Sequence, residues 1–90
     1  MRAKYYGKSV QRNEFGQIVD RYSPRVTVFF SEKELALAQA RLEATGYQYD
    51  MFMDGVYSQG SADVYVSGKE EADEFMEVWR EVKQRIKEAN

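Results

Sequence analysis

Apolar and polar positions alternate over much of the first thirty residues, and the spacing predicts two strands, one over 3–10 and one over 17–22 that resumes at 25–30. Asn13 and Gly16 supply turn chemistry between them. Pro24 lacks an N–H, so the break at Ser23 and Pro24 is expected at a bend, a bulge or a sheet edge. The run Val26, Thr27, Val28, Phe29, Phe30 is the strongest core-strand signal.

Ser31 and Glu34 have the spacing of a capping box that opens a helix, and Gly46 sits where a left-handed C-terminal cap would end it. Leu35, Ala38 and Leu42 form one apolar stripe on this helix. Ala36, Leu37, Ala40 and Ala44 lie toward a second side, so contact on two faces is expected.

A third strand follows over 47–53, with Tyr47, Tyr49, Met51 and Met53 on one face. Asp54 and Gly55 match a two-residue hairpin turn, which would set Met53 opposite Val56 and Phe52 opposite Tyr57. The fourth strand would begin at Val56, kink at Gly60 and Ser61, and finish at Val64, Tyr65 and Val66. Ser67 and Glu70 repeat the capping-box spacing. The last helix, over about 69–87, carries Phe75, Trp79, Val82 and Ile86 as a single core stripe, flanked by Ala72 and Met76. Segments 28–34 and 64–70 align at an offset of 36 residues, a weak internal repeat.

These elements predict an α+β fold of order ββαββα, with a four-stranded, mainly antiparallel sheet and two helices packed on one face, as a single domain over 1–90. A chain of 90 residues holds a modest core, so shallow surface sites are expected rather than a deep pocket. It contains no cysteine, which fits a reducing, cytoplasmic setting. No apolar run approaches the roughly 20 residues of a membrane span, and no apolar segment follows the charges of the first ten residues.

The net charge of −2 is unevenly spread. Residues 1–30 carry six basic and two acidic side chains, a net +4, so the remainder carries −6. The acids at Glu70, Glu71, Asp73, Glu74 and Glu77, followed by Arg80, Lys83, Arg85 and Lys87, are the arrangement that complements a helix dipole.

The absence of histidine and cysteine removes the usual nucleophile pairs, thiolate chemistry and nearly all zinc sites. Gly68 and Lys69 open a helix after a strand but lack the other residues of a phosphate loop. Asp50 and Asp54 lack the alternating ligands of a calcium loop. A non-enzymatic role is therefore expected, with no cofactor and no metal.

Two binding roles remain. The leading one is a protein-binding module, an adaptor or an inhibitor acting by occlusion, whose size and cysteine-free composition also suit a phage or mobile-element origin. Its surface would come from the central hairpin. Because two helices cover only one sheet face, the other would present either Phe52 and Tyr57, or Tyr47, Tyr49, Met51 and Met53. A homodimer would hide the same side chains. The alternative is weak nucleic-acid binding through the N-terminal hairpin, where Arg2, Lys4, Tyr5, Tyr6, Lys8, Arg12, Arg21 and Arg25 interleave cations with rings that can stack on bases.

Overall fold

The computed structural model describes residues 1–7, 9–55 and 58–89, with the backbone alone described at 9–11, 19–22 and 87–89. The elements are β1 (Arg2–Tyr6), β2 (Ser9–Arg12), β3 (Ile18–Tyr22), β4 (Arg25–Ser31), a 3-10 turn (Glu32–Glu34), α1 (Leu35–Thr45), β5 (Asp50–Asp54), β6 (Gln59–Tyr65) and α2 (Lys69–Ala89). Strands β1, β4, β6 and β5 form, in that order, a four-stranded antiparallel sheet; β2 and β3 pair in a second, two-stranded one. The α+β fold of order ββαββα is thus present, with each predicted N-terminal strand divided in two.

The division falls at Gly7 and at Ser23 and Pro24. Pro24 donates nothing to the ladder, but its carbonyl accepts the Val66 N–H at 3.2 Å, which ties the start of β4 to the end of β6. Beyond this junction β2 and β3 continue as an arm. Its tip is held by Asn13, whose Oδ1 accepts the N–H groups of Phe15 and Gln17, both at 3.0 Å. Gly16 takes a φ of +78° there. The molecule measures 54 × 34 × 17 Å with a radius of gyration of 15.0 Å, against about 12 Å for a compact chain of this length.

One face of the sheet makes the core. Val26, Val28 and Phe30 of β4 and Ala62 and Val64 of β6 are buried against Ala38 and Leu42 of α1 and Ala72, Phe75 and Trp79 of α2. The Phe75 ring meets Tyr47 edge-on at 5.1 Å and stacks beside Trp79 at 6.1 Å. Phe75, Trp79 and Val82 are buried as their spacing predicts, and Ile86 is half-buried.

At the capping box, the Ser31 N–H and Oγ both donate to Glu34 Oε1, at 3.0 and 3.1 Å. The cap opens the 3-10 turn, and α1 proper starts four residues after Ser31. Gly46 ends α1 at a φ of +77°, as expected. The second side of α1 is mostly uncovered: Ala36, Ala40 and Ala44 are exposed and Leu37 is half-buried, because both the sheet and α2 lie against the Ala38 and Leu42 side. Before α2, the Ser67 hydroxyl donates to Glu71, one residue beyond the predicted Glu70.

The central hairpin departs from its predicted register. Asp54 pairs with Gln59, Met53 with Gly60 and Phe52 with Ser61, so the connection spans 55–58 instead of two residues, and Ser58 adopts a φ of 53°. The pairing of Phe52 with Tyr57 is therefore replaced, and Val56 and Tyr57 themselves lie outside the described residues. The longer loop places Met51 and Met53 opposite the small residues Ala62 and Gly60. Nor does β6 kink at Gly60: its pairing with β4 runs unbroken. Glycine is needed there for room, since a Cβ would stand 2.5 Å from Phe30 Cε2 and 2.6 Å from Met53 Sδ.

Candidate functional site

Alternation along each strand fixes what the face opposite the helices presents. With Val26, Val28 and Phe30 turned inward, Arg25, Thr27 and Phe29 of β4 turn outward. Cross-strand pairing then sets them in rows that run from β1 to β5. One row is Arg2, Phe29, Ser61 and Phe52; the next is Lys4, Thr27, Asp63 and Asp50; the third begins Tyr6, Arg25 and Tyr65. Asp54 pairs with Gln59 at the far end.

This face carries aromatic mass that the fold does not cover. Phe52 and Tyr65 are each 53 % exposed, and Phe29 is half-buried in the row between Arg2 and Ser61. Phe29, Phe52, Asp54, Gln59 and Ser61 border a shallow groove of about 270 Å³. A second, open depression of about 670 Å³ wraps the end of β5, where Tyr65 and Asp50 meet Tyr47 and Tyr49.

Charges on the face are separated by sign. Arg2, Lys4 and Arg25 stand on β1 and β4, whereas Asp50, Asp54 and Asp63 stand on β5 and β6. The cations lie over rings of their own chain: Arg2 is 4.9 Å from the centroid of Phe29, and Lys4 and Arg25 are 5.1 and 5.2 Å from that of Tyr6. At the centre, Thr27 Oγ1 donates to Asp63 Oδ1 at 2.7 Å, and Arg25 Nε approaches the same oxygen at 4.0 Å.

The residues predicted for protein binding separate across the sheet. Tyr47, Tyr49 and Met51 are half-buried on the helix side. Tyr47 packs on Phe75, and the Tyr49 hydroxyl donates to Glu43 at 3.4 Å. Burial, followed by the charges of Glu74 and Glu71, pushes the Tyr47 hydroxyl above its ordinary pKa; Tyr49 is raised likewise by burial and then by Glu43. Met53 is on the same side but 43 % exposed, near the end of its strand. Phe52 alone of the set is on the open face, and Tyr57 lies outside the described residues.

The predicted nucleic-acid set also divides. Arg2, Lys4, Tyr6 and Arg25 come together on the open face, whereas Tyr5 lies on the helix side with Lys69 over its ring. Arg12 is at the arm tip, where its guanidinium donates to the Gly16 carbonyl at 2.8 Å. Lys8 lies outside the described residues, and of Arg21 only the backbone is described, paired with Val10.

Phe29, Tyr65, Thr27, Asp50 and Asp63 belong to the open face and were not among the predicted site residues. The signal was present in alternation: Val28, Phe29, Phe30 and Val64, Tyr65, Val66 each read as an unbroken apolar run, yet the middle residue of each must point away from its neighbours. The arm adds one further exposed ring, Phe15, 79 % exposed at the tip.

Among the described residues, no group of three or more acidic side chains is placed to hold a metal ion, and no helix is long and apolar enough to cross a membrane. No family model matches the chain, and comparison with curated proteins and with solved structures likewise finds no match.

Proposed function

We propose that this chain is a non-enzymatic protein-binding module that acts by occlusion, as an adaptor or an inhibitor, through the open face of its sheet. One observation carries the reading: Phe29, Phe52 and Tyr65 share a helix-free face with three cations and three carboxylates. Partly exposed aromatic side chains interspersed with charged ones are a composition enriched in protein interfaces. A cysteine-free chain of this kind suits the reducing interior of a cell.

The same face argues against nucleic acid as the ligand. A single-strand platform needs rings free to stack and a surplus of positive charge. Here Phe29 and Tyr6 already carry cations of their own chain, the open rings Phe52 and Tyr65 stand on the half that carries Asp50, Asp54 and Asp63, and those carboxylates balance Arg2, Lys4 and Arg25.

The test is site-specific photo-cross-linking. A benzophenone amino acid replaces Phe52 in one protein and Glu77, exposed on α2, in another, and each is irradiated in cell lysate. Discrete protein adducts from position 52 that position 77 does not give are the expected result. Nuclease-sensitive adducts, or the same bands from both positions, would overturn the reading.

A further inference from the structure

The rows on the open face have a property that a surface evolved for an arbitrary partner need not have: they are complementary to themselves. The strand order β1, β4, β6, β5 places the cations on one half and the carboxylates on the other, in register across the sheet. A two-fold axis parallel to the strands and midway between β4 and β6 exchanges the halves while keeping each row at its own level. A second copy laid face to face under that operation sets its Asp50 over Lys4 and its Lys4 over Asp50. It also sets Arg2 over Phe52, Arg25 over Tyr65 and Phe29 over the small Ser61.

Every one of these juxtapositions is favourable, either opposite charge, cation on ring, or large against small. The alternative axis, in the same plane but perpendicular to the strands, lays the cationic half on the cationic half and the acidic half on the acidic half at any height, and through the middle row it stacks Lys4 on Lys4 and Asp50 on Asp50. Facing sheets pack about 10 Å apart with strands roughly aligned, a gap that a lysine and an aspartate together can bridge.

We infer that the occupant of the open face is a second copy of this chain, joined in an isologous sheet-to-sheet dimer whose Lys4 and Asp50 pair reciprocally between copies. The inference rests on the protein-binding reading above and names the chain itself as the partner for that site, so the occlusion is of each copy's open face by the other and a different protein would compete with the dimer. Four strands at about 4.8 Å make a face roughly 19 Å across, at the small end of specific interfaces, so association is expected in the micromolar range. Since the axis runs along the strands, both β2–β3 arms leave the dimer at the same end, on opposite sides of the axis, with Phe15 outside the paired faces.

The decisive experiment is a charge swap followed by sedimentation equilibrium from about 1 μM to 1 mM. Within one chain Lys4 and Asp50 are three strands apart, about 14 Å, so they do not pair internally. Both are exposed, and circular dichroism checks that the variants remain folded. Lys4→Glu and Asp50→Lys should each weaken the dimer about a hundredfold, because every substitution breaks two symmetry-related pairs, at about tenfold each. The double variant should recover most of the loss.

A monomer throughout the range, or a dimer indifferent to both single substitutions, overturns the inference. The protein-binding reading falls separately: if the chain is monomeric and benzophenone at position 52 still captures a different protein, only the dimer is lost. If it captures no protein, both are lost.

Discussion

Thr27 and Asp63 stand directly opposite each other on the two central strands, and the threonine hydroxyl donates to the aspartate at 2.7 Å. Thr27 is 6 % exposed although it lies on the face away from the helices, so the donor side of this bond is largely out of water. Thr27→Val keeps the shape and removes the donor. The expected cost is about 1.5 to 3 kcal/mol, the worth of a hydrogen bond to a charged acceptor, read as a lower urea midpoint at unchanged slope.

Phe75 is fully buried between Tyr47 and Trp79 and so joins the loop before β5 to α2. Phe75→Ala should cost about 3 to 5 kcal/mol, a large part of the roughly 5 to 13 kcal/mol that a domain of this size holds. Trp79→Ala should fall in the same range. Denaturant unfolding followed by far-UV circular dichroism measures both; wild-type stability in either variant would contradict the core packing.

Gly60→Ala should destabilise by about 1 to 3 kcal/mol through overpacking, since the new methyl would press on the buried Phe30 ring. Met53 can swing away, being partly exposed, but Phe30 is held in the core. A smaller residue opposite should therefore compensate. Gly60→Ala combined with Phe30→Leu is expected to lose less than the sum of the two single changes in a thermodynamic cycle.

The raised Tyr47 hydroxyl predicts a pH effect of definite sign. Its folded-state pKa lies above the ordinary value of 10.0, with burial as the main cause and Glu74 and Glu71 adding to it. The neutral phenol therefore supports the fold fully below about pH 10, and this support is lost as pH rises through the raised value. Tyr47→Phe cannot ionise and should unfold at a higher pH than the wild type in an alkaline titration. Coincident alkaline transitions would show that Tyr47 does not couple to folding.

Much of this fold is legible in the residues themselves. The core stripe of α2 and the Gly46 stop are local signals with which the tertiary packing agrees. Two departures have non-local causes. The Asp54 and Gly55 dipeptide favours a tight turn, but the β5–β6 register instead faces Met51 and Met53 with Ala62 and Gly60, and the loop lengthens to 55–58 to allow it. Likewise, Pro24 marks an interruption without saying that the chain leaves one sheet for another. The open face was half visible: Arg2, Lys4, Tyr6, Arg25 and Phe52 were readable as candidates, but their assembly with Phe29, Tyr65 and Asp63 depends on the strand order β1, β4, β6, β5, which no single segment encodes.

Hydroxyl-radical footprinting of the purified chain at low and high concentration tests most directly whether protein covers the open face. Phe52 and Tyr65 sit on that face, while Phe15 at the arm tip is an exposed ring outside it and serves as the internal reference. The predicted result is that Phe52 and Tyr65 become protected as concentration rises through the micromolar range while Phe15 keeps its reactivity. Unchanged reactivity at Phe52 and Tyr65 up to 1 mM, or equal protection at all three rings, would contradict a sheet-to-sheet dimer on this face.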